Sequence, residues 1–274
     1  MFLKTIKSIV FFTLIISFVS CSEYQKMLNN PDTNLKYKAA EVYYKEGEYK
    51  KANRIFEQIV PNYRGKPQAQ RIIYFYANSY FQIRDYNLSA YQFESFVKSY
   101  PKSDRAQEAY FMAAKSYYML SPRFSLDQQD TYKAIDKLQI FLDNYPDGEF
   151  SDDANTLISE LQVKLEKKFF EISKKYYTIR DYKASINAFD SFISDFPGTP
   201  FKEEALYYKF LSNYELAINS IFDKKEERLV EAKELGDSLL DYFPESLFLE
   251  DIEKKFKNIE KELTSFDQPT TNTK

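Results

Sequence analysis

Apolar residues recur along the chain at the spacing of amphipathic α-helices. From about residue 35 to residue 263 they return every three or four positions, and glycine is rare, with 5 in 274 residues. This spacing places side chains on one face of a helix, whereas a strand would alternate with a period of two. Aromatic-proline pairs such as Tyr100-Pro101 and Phe196-Pro197 then stop the helices, because proline lacks the backbone donor. The pattern predicts an all-α body of consecutive helices.

These helices form a repeat. Five anchor tyrosines mark its copies, and the residue three positions before each anchor is mostly small. In several copies a tyrosine also stands six positions after the anchor, and a phenylalanine stands thirteen positions after it. The anchors are Tyr43, Tyr80, Tyr117, Tyr176 and Tyr214, and the first three are 37 residues apart. Small residues let helices approach closely, and aromatic rings fill the spaces between them. The pattern resembles the tetratricopeptide repeat and predicts a right-handed solenoid of about five tetratricopeptide-like helix pairs.

Departures from the repeat divide the chain. Insertions are expected between the two helices of repeats 3 and 5, around 121–130 and 219–228. The extra stretch 151–168 is expected to lengthen a helix. We therefore predict one half at 35–150, with repeats 1 to 3, and a second at 151–263, with the linking helix and repeats 4 and 5. Residues 264–274 are rich in threonine and lack apolar periodicity, which predicts a disordered tail.

The N-terminus has the pattern of a secretion signal. Two lysines precede the almost wholly apolar run 9–19, and Ser20 comes directly before Cys21, the one cysteine of the chain. This predicts a signal peptide over residues 1–20. The site resembles a lipoprotein box, in which Cys21 becomes the acylated first residue of a tether, 21–34. Such acyl chains hold a domain on a membrane with about 0.8 kcal/mol per buried methylene.

The residue after the cysteine predicts the membrane to which the lipoprotein is sorted. Ser22 follows the cysteine, and no acidic run comes after it. By the sorting rules of bacterial lipoproteins, this implies the outer membrane, with the domain facing the periplasm.

Composition argues against an enzyme. There is no histidine, which removes the commonest general base, the usual catalytic triads and most zinc sites. The glycines are scattered singly, so no phosphate-binding loop can be placed. Removal of residues 1–20 takes away Lys4 and Lys7, which leaves 36 basic and 41 acidic residues and changes the net charge from −3 to −5. We expect a non-enzymatic protein with no cofactor, no metal and no nucleic-acid partner.

The repeat register predicts a groove. In a tetratricopeptide solenoid, the first helix of each pair lines the concave surface, and the positions six before, two before and one after the anchor share a face. The predicted peptide-binding groove comprises Tyr37, Tyr44, Arg71, Tyr74, Asn78, Phe81, Phe111, Lys115 and Tyr118. Aromatic rings give contact area, Asn78 could bond to an extended backbone, and Lys115 or Arg71 could hold a terminal carboxylate. Ordinary packing between repeats is the alternative explanation for the aromatic residues.

The combination resembles the BamD family, the lipoprotein subunits of the machinery that folds β-barrels into the outer membrane. Besides the cysteine and the repeats, the resemblance rests on Phe-x-x-Phe-x-x-x-(Tyr/Phe)-Pro at 93–101 and 189–197, and on Ser-Pro-Arg-Phe-Ser-Leu-Asp-Gln-Gln-Asp-Thr at 121–131. It implies that the first half binds unfolded outer-membrane proteins. It also implies that the second half docks on a BamA-like barrel-inserting protein, with the lipid in the outer membrane.

Two other classes share parts of this pattern. A periplasmic tetratricopeptide scaffold that coordinates cell-wall or envelope enzymes would carry the same repeats, although residues 22–36 are too short for the N-terminal coiled coil that such adaptors usually have. A nutrient-binding lipoprotein is typically longer, and this chain has no tryptophan to stack on sugars. The scaffold remains the alternative to the assembly subunit.

Overall fold

A computed structural model describes residues 23–266, which are helical almost throughout and contain no strand. A short helix, α1, covers residues 23–28. It is followed by α2 (Thr33–Lys45), α3 (Tyr49–Tyr63), α4 (Ala69–Gln82), α5 (Tyr86–Ser99), α6 (Ala106–Leu120), α7 (Gln129–Asn144), α8 (Ser151–Thr178), α9 (Tyr182–Asp195), α10 (Lys202–Ile218), α11 (Phe222–Tyr242) and α12 (Leu249–Leu263). The predicted all-α class is confirmed. The predicted signal peptide, Cys21 and residues 267–274 lie outside the described residues.

The helices pack as helix-turn-helix pairs. α2 contacts α3, α4 contacts α5, α6 contacts α7 and α10 contacts α11. The second helix of a pair also contacts the first helix of the next, as α3 does with α4, α5 with α6 and α9 with α10. Repeats of the tetratricopeptide type, stacked on one another as in a helical solenoid, are therefore confirmed.

The chain forms two compact units. Within the described residues, the first consists of 23–122 and Asp127–Ser159, and the second of Arg123–Leu126 and 160–266. The division falls within α8, whose 28 residues confirm the predicted lengthened helix. No helix within residues 23–266 is long and apolar enough to cross a bilayer.

The turn inside three of the pairs needs one residue in the left-handed region. Gly47 takes this position in repeat 1 with φ 78°, while Arg84 and Arg180 take it in repeats 2 and 4 with φ 65° and 64°. A side chain there costs roughly 1–2 kcal/mol. In repeats 2 and 4 the next residue is an aspartate that caps the following helix, as Asp85 does by accepting from the backbone N–H of Leu88 at 3.2 Å. The same Ile-Arg-Asp-Tyr sequence therefore forms the same turn at 83–86 and 179–182.

Buried polar bonds join consecutive pairs. The bonds are Asn53 Nδ2 to Ser79 Oγ at 2.9 Å, Ser89 Oγ with Ser116 Oγ at 2.9 Å, and Ser212 Oγ to Ser185 Oγ at 2.8 Å. All six side chains are buried. A buried hydroxyl without a partner costs about 1–3 kcal/mol, so these bonds fix which residues of neighbouring repeats face each other.

The same bonds correct the register of repeat 5. Ser79 and Ser116 directly precede the anchors Tyr80 and Tyr117, so Ser212 makes Asn213 the equivalent residue. The predicted anchor, Tyr214, is wrong by one position: its hydroxyl accepts from Nδ2 of Asn258 in α12 at 2.7 Å. It packs towards the following helix rather than the preceding repeat.

The predicted insertions differ in kind. Residues 121–128 link α6 to α7 without helix, as expected, but most of 219–228 is helical because α11 begins at Phe222. At the start of the predicted tail, residues 264–266 form a turn. Phe266 stacks there on Phe222 with 4.6 Å between the ring centroids.

Gly236→Ala is expected to destabilise the protein. Alanine in a helix interior is normally better than glycine by about 1 kcal/mol. A Cβ at this position in α11 would collide with the Phe256 ring of α12 and lie 3.0 Å from Cε2 of Phe210, and overpacking costs about 1–3 kcal/mol. We expect the free energy of unfolding in urea to fall by about 1 kcal/mol.

The control is the same substitution in a Phe256→Ala background, where the collision with Phe256 is absent and the approach to Phe210 at 3.0 Å remains. There Gly236→Ala should destabilise the protein less than in the unchanged sequence, because helix propensity offsets the remaining contact. A stabilising effect of Gly236→Ala in the otherwise unchanged protein would contradict the packing described for α11 and α12.

Candidate peptide-binding surface

The aromatic residues six positions before the anchors belong to the core. Tyr74 and Phe111 are each 3% exposed. Tyr74 packs on Phe93 of its own pair with 5.7 Å between ring centroids, and Phe111 packs on Phe141 at 5.6 Å. The prediction that these two rings face the hollow is wrong, because this position points towards the second helix of the same pair. Tyr37 is only half-buried.

The next position along the helix faces the neighbouring first helix. Phe75 is half-buried, and its ring lies 4.6 Å from that of Tyr44 on α2. Sequence reasoning missed Phe75. The sequence did contain a clue to it. An aromatic residue such as Tyr44 follows most anchors, and a ring at that position packs on an apolar residue of the next repeat, here Phe75.

Two polar contacts connect α2 to α4 beside these rings. Glu41 Oε1 accepts from the Tyr37 hydroxyl at 2.7 Å and pairs with Arg71 Nη2 at 2.8 Å. The Tyr44 hydroxyl donates to Asn78 Oδ1 at 2.8 Å. The structure thus brings together four predicted groove residues and Glu41. Because Arg71 is 54% exposed, its guanidinium remains open to a ligand.

A second arginine, which the sequence did not single out, also lies near Phe75. The Arg105 guanidinium carbon is 4.4 Å from the Tyr74 ring centroid and 5.7 Å from that of Phe75. Its Nη1 lies 3.8 Å from Glu108 Oε2. The Arg71 guanidinium is 5.3 Å from the Phe75 centroid. Phe75 therefore has two guanidinium groups within 6 Å of its ring centroid, and we call Arg71, Phe75 and Arg105 with Tyr44 the arginine–aromatic cluster.

The other predicted residues lie on the same helices. Phe81 is half-buried at the end of α4, edge-on to Tyr86 at 5.4 Å. Lys115 is half-buried on α6, with its ammonium 5.5 Å from the Phe111 centroid. Tyr118, also half-buried, lies one turn further along α6. Their role in ligand binding remains a prediction.

Burial keeps the surface tyrosines neutral. It raises the pKa of Tyr44 to about 12. Burial, followed by the hydrogen bond to Glu41, raises the pKa of Tyr37 to about 12. Both hydroxyls therefore stay donors over the physiological range and hold the Glu41 and Asn78 side chains in place.

The second unit repeats this arrangement with the charges exchanged. Lys174 Nζ lies 3.1 Å from Glu204 Oε1 and 4.6 Å from the Tyr208 ring centroid. Tyr208 packs on Tyr177 with 5.4 Å between centroids. Nearby is a cleft of about 640 Å³ lined by Tyr177, Thr178, Arg180, Tyr182, Glu215 and Asn219. Within residues 23–266 no group of acidic side chains is arranged to hold a metal ion.

The fold defines the class: this is a helical repeat protein of the tetratricopeptide type. A family model described as YfiO, outer membrane lipoprotein, matches residues 29–229 and 166–273. The protein therefore belongs to the YfiO family of outer-membrane lipoproteins. This is the BamD family, so the resemblance stated from the sequence is confirmed.

Solved structures with similar helices are more distant. The TPR2AB-domain:pHSP90 complex of yeast Sti1 is 11% identical, with 83% of this chain and 98% of that chain covered and a TM-score of 0.37. The MamA protein is 17% identical, with 77% and 95% covered and a TM-score of 0.30. No curated protein sequence matches the chain.

Ionisation of Tyr44 is expected to lower the free energy of unfolding above pH 10. The pKa of Tyr44 is about 12 in the folded chain and about 10 in an unfolded one. Between these values the folded state retains a proton that the unfolded state releases, so stability present below pH 10 is lost as the pH rises towards 12. Urea unfolding at pH 9, 10 and 11 measures this loss.

In Tyr44→Phe the loss between pH 10 and pH 11 should be smaller than in the unchanged protein. Tyr91→Phe, at a tyrosine that is 64% exposed, is the matched control and should leave the slope unchanged. The same slope in Tyr44→Phe and the unchanged protein would show that this hydroxyl is not shielded.

Proposed function

We propose that the protein is a non-enzymatic, lipid-anchored subunit of the outer-membrane β-barrel assembly machinery, and that its first unit binds segments of unfolded barrel proteins. The observation that carries the proposal is the arginine–aromatic cluster, in a chain of the YfiO family. The cluster offers binding contacts and no group suited to acid–base or nucleophilic chemistry.

The cluster fits an aromatic residue next to a carboxylate. A ligand ring can stack on the exposed parts of Phe75 and Tyr44, since aromatic pairs add about 0.5–1.5 kcal/mol beyond their buried area. A terminal carboxylate can replace Glu41 on Arg71 or Glu108 on Arg105. Guanidinium groups bind carboxylates with two parallel hydrogen bonds. Unfolded barrel proteins whose segments end in an aromatic residue and a free carboxylate are the matching ligands.

The second unit is proposed to dock on a BamA-like barrel-inserting subunit. The start of α11, from Asp223 to Arg228, is charged and largely exposed. A charged and exposed surface suits a rim of a protein interface. Acylation of Cys21 would hold both units at the periplasmic face of the outer membrane.

Peptide binding by the purified protein tests the first unit. A labelled peptide with the final residues of a barrel protein, ending in phenylalanine with a free carboxylate, should bind about tenfold more tightly than its C-terminal amide, as one charged hydrogen bond of roughly 1.5 kcal/mol predicts. Arg71→Gln combined with Arg105→Gln should remove this difference between acid and amide.

Phe75→Ala should weaken the binding of both peptides. The matched control is Tyr91→Ala, at an exposed aromatic residue of α5, which should leave both affinities unchanged. Unaltered binding by Phe75→Ala would exclude the arginine–aromatic cluster as the site.

Photo-crosslinking in cells separates the two functional classes. A photoreactive residue at Phe81 should capture newly made outer-membrane proteins, while one at Glu227 in α11 should capture a large barrel protein or nothing. Capture of cell-wall enzymes alone at Phe81 would favour the periplasmic scaffold over the assembly subunit.

The anchor has a separate test. Cys21→Ala should abolish labelling by an alkyne fatty acid and release the protein from the membrane fraction. Continued labelling of Cys21→Ala would place the lipid on another residue, and absence of labelling in the unchanged protein would exclude it.

A further inference from the structure

One face of α8 carries a row of large apolar residues that no described helix of the second unit covers. Phe169, Ile172, Tyr176 and Ile179 are 42%, 46%, 37% and 61% exposed. Steps of three and four residues place them on one side of the helix. Phe169 contacts the ring of Phe196, with 5.5 Å between the centroids. We call these four residues the α8 row.

Equivalent positions in repeats 2 and 3 are covered by the second helix of the preceding pair. The shared Ile-Arg-Asp-Tyr turn aligns Tyr76 and Tyr80 with Ile172 and Tyr176. These two tyrosines are 7% and 8% exposed in a core that includes Ile55 and Phe56 of α3. In repeat 3, Ala113 is buried against Phe93 of α5. The fold thus shows what kind of element covers this face.

Repeat 4 also lacks the polar bond of such a junction. The buried serines Ser79, Ser116 and Ser212 each contact the second helix of the preceding repeat. The equivalent residue of repeat 4 is Lys175, which is exposed. A lysine beside an apolar row suits a partner that supplies a carboxylate rather than a buried hydroxyl.

The chain covers the same face at its N-terminal repeat. Tyr43, the equivalent of Tyr176, packs edge-on against Tyr24 of α1 at 5.5 Å, and Met27 and Leu28 pack on the same core. The α8 row has no such cover in the second unit. Exposed apolar residues in a continuous row are typical of interaction sites.

Size and charge determine the occupant. Four side chains at these exposures offer on the order of 400 Å², half of what each copy contributes to a standard dimer interface of about 1,600 Å², so a second copy is disfavoured. Lys175, which is exposed, lies beside the row, three positions after Ile172 and four before Ile179. Glu171 is the acidic residue of α8 nearest to it in the sequence.

We propose that the α8 row binds an amphipathic α-helix of a partner protein, in the position that the second helix of a preceding repeat takes in repeats 2 and 3. The partner helix has apolar residues every three or four positions and a carboxylate opposite Lys175. This inference rests on the docking role proposed for the second unit, and it adds a second contact surface besides the start of α11 and the chemistry of the partner.

Photo-crosslinking followed by peptide mapping tests the inference. A photoreactive residue is placed at Ile172 or Tyr176 in the full-length protein in cells, and at Asn187, an exposed polar residue of α9, as control. We expect adducts with one protein at the first two sites only. The modified peptide should come from a segment with helical apolar spacing and acidic residues.

Charge variants test the carboxylate. Lys175→Glu should lower the adduct yield at Tyr176 by about two- to fivefold, as expected for an exposed ion pair, while Lys175→Arg should preserve it. Circular dichroism would verify that both variants fold, which is expected because Lys175 is exposed. Equal yields in both variants would overturn the proposed carboxylate.

Other outcomes would overturn the inference as a whole. They are adducts of twice the mass of the chain, adducts in a segment without helical spacing, and no excess over Asn187. The crosslinks at Phe81 and Glu227 keep this failure separate from that of the proposed function. If those sites capture their partners and the α8 row captures none, only the present inference fails.

Discussion

The packing of a first helix on the second helix of the preceding repeat, as in repeats 2, 3 and 5, is the constraint on which the other features depend. Small residues allow the close approach, and the three buried hydrogen bonds that end at Ser79, Ser116 and Ser212 permit one register. Once that register is set, the side chain five positions before the anchor must meet the ring that follows the previous anchor. The contact between Phe75 and Tyr44 is therefore a consequence of repeat stacking.

The period of the chain was enough to predict the helix pairs and the lengthened α8, but not the direction of each aromatic side chain. Tyr74 and Phe75 are adjacent and both aromatic, and a rotation of one residue decides which enters the core. Periodicity cannot distinguish them. Only the burial of Tyr74 against Phe93 and Phe96 does so. The same ambiguity misplaced Tyr214, where the sequence offered a tyrosine one position after the true equivalent, Asn213.

Charged residues follow the same geometry. The residue two positions before an anchor meets the residue nine positions before the next, as in Glu41–Arg71 and Lys174–Glu204. The geometry is common to both units, while the polarity is reversed. Half-exposed pairs of this kind contribute little to stability, typically below about 1 kcal/mol. In the proposed function, a ligand carboxylate replaces Glu41 as the partner of Arg71.

α8 has an apolar face that is buried in its first part and exposed in its second. Its apolar face begins with Ala154, Ile158, Leu161 and Leu165, all buried, and continues in register through the exposed α8 row. A helix that needed only to connect repeats 3 and 4 would gain nothing from aromatic and branched residues in water, since a side chain left half exposed forgoes part of the roughly 1.5–3 kcal/mol that full burial provides. The uninterrupted spacing instead places the row where a preceding helix would pack. A partner helix that fills this position would complete the stacking of repeat 4 with apolar contacts of the kind that hold repeats 2 and 3 together.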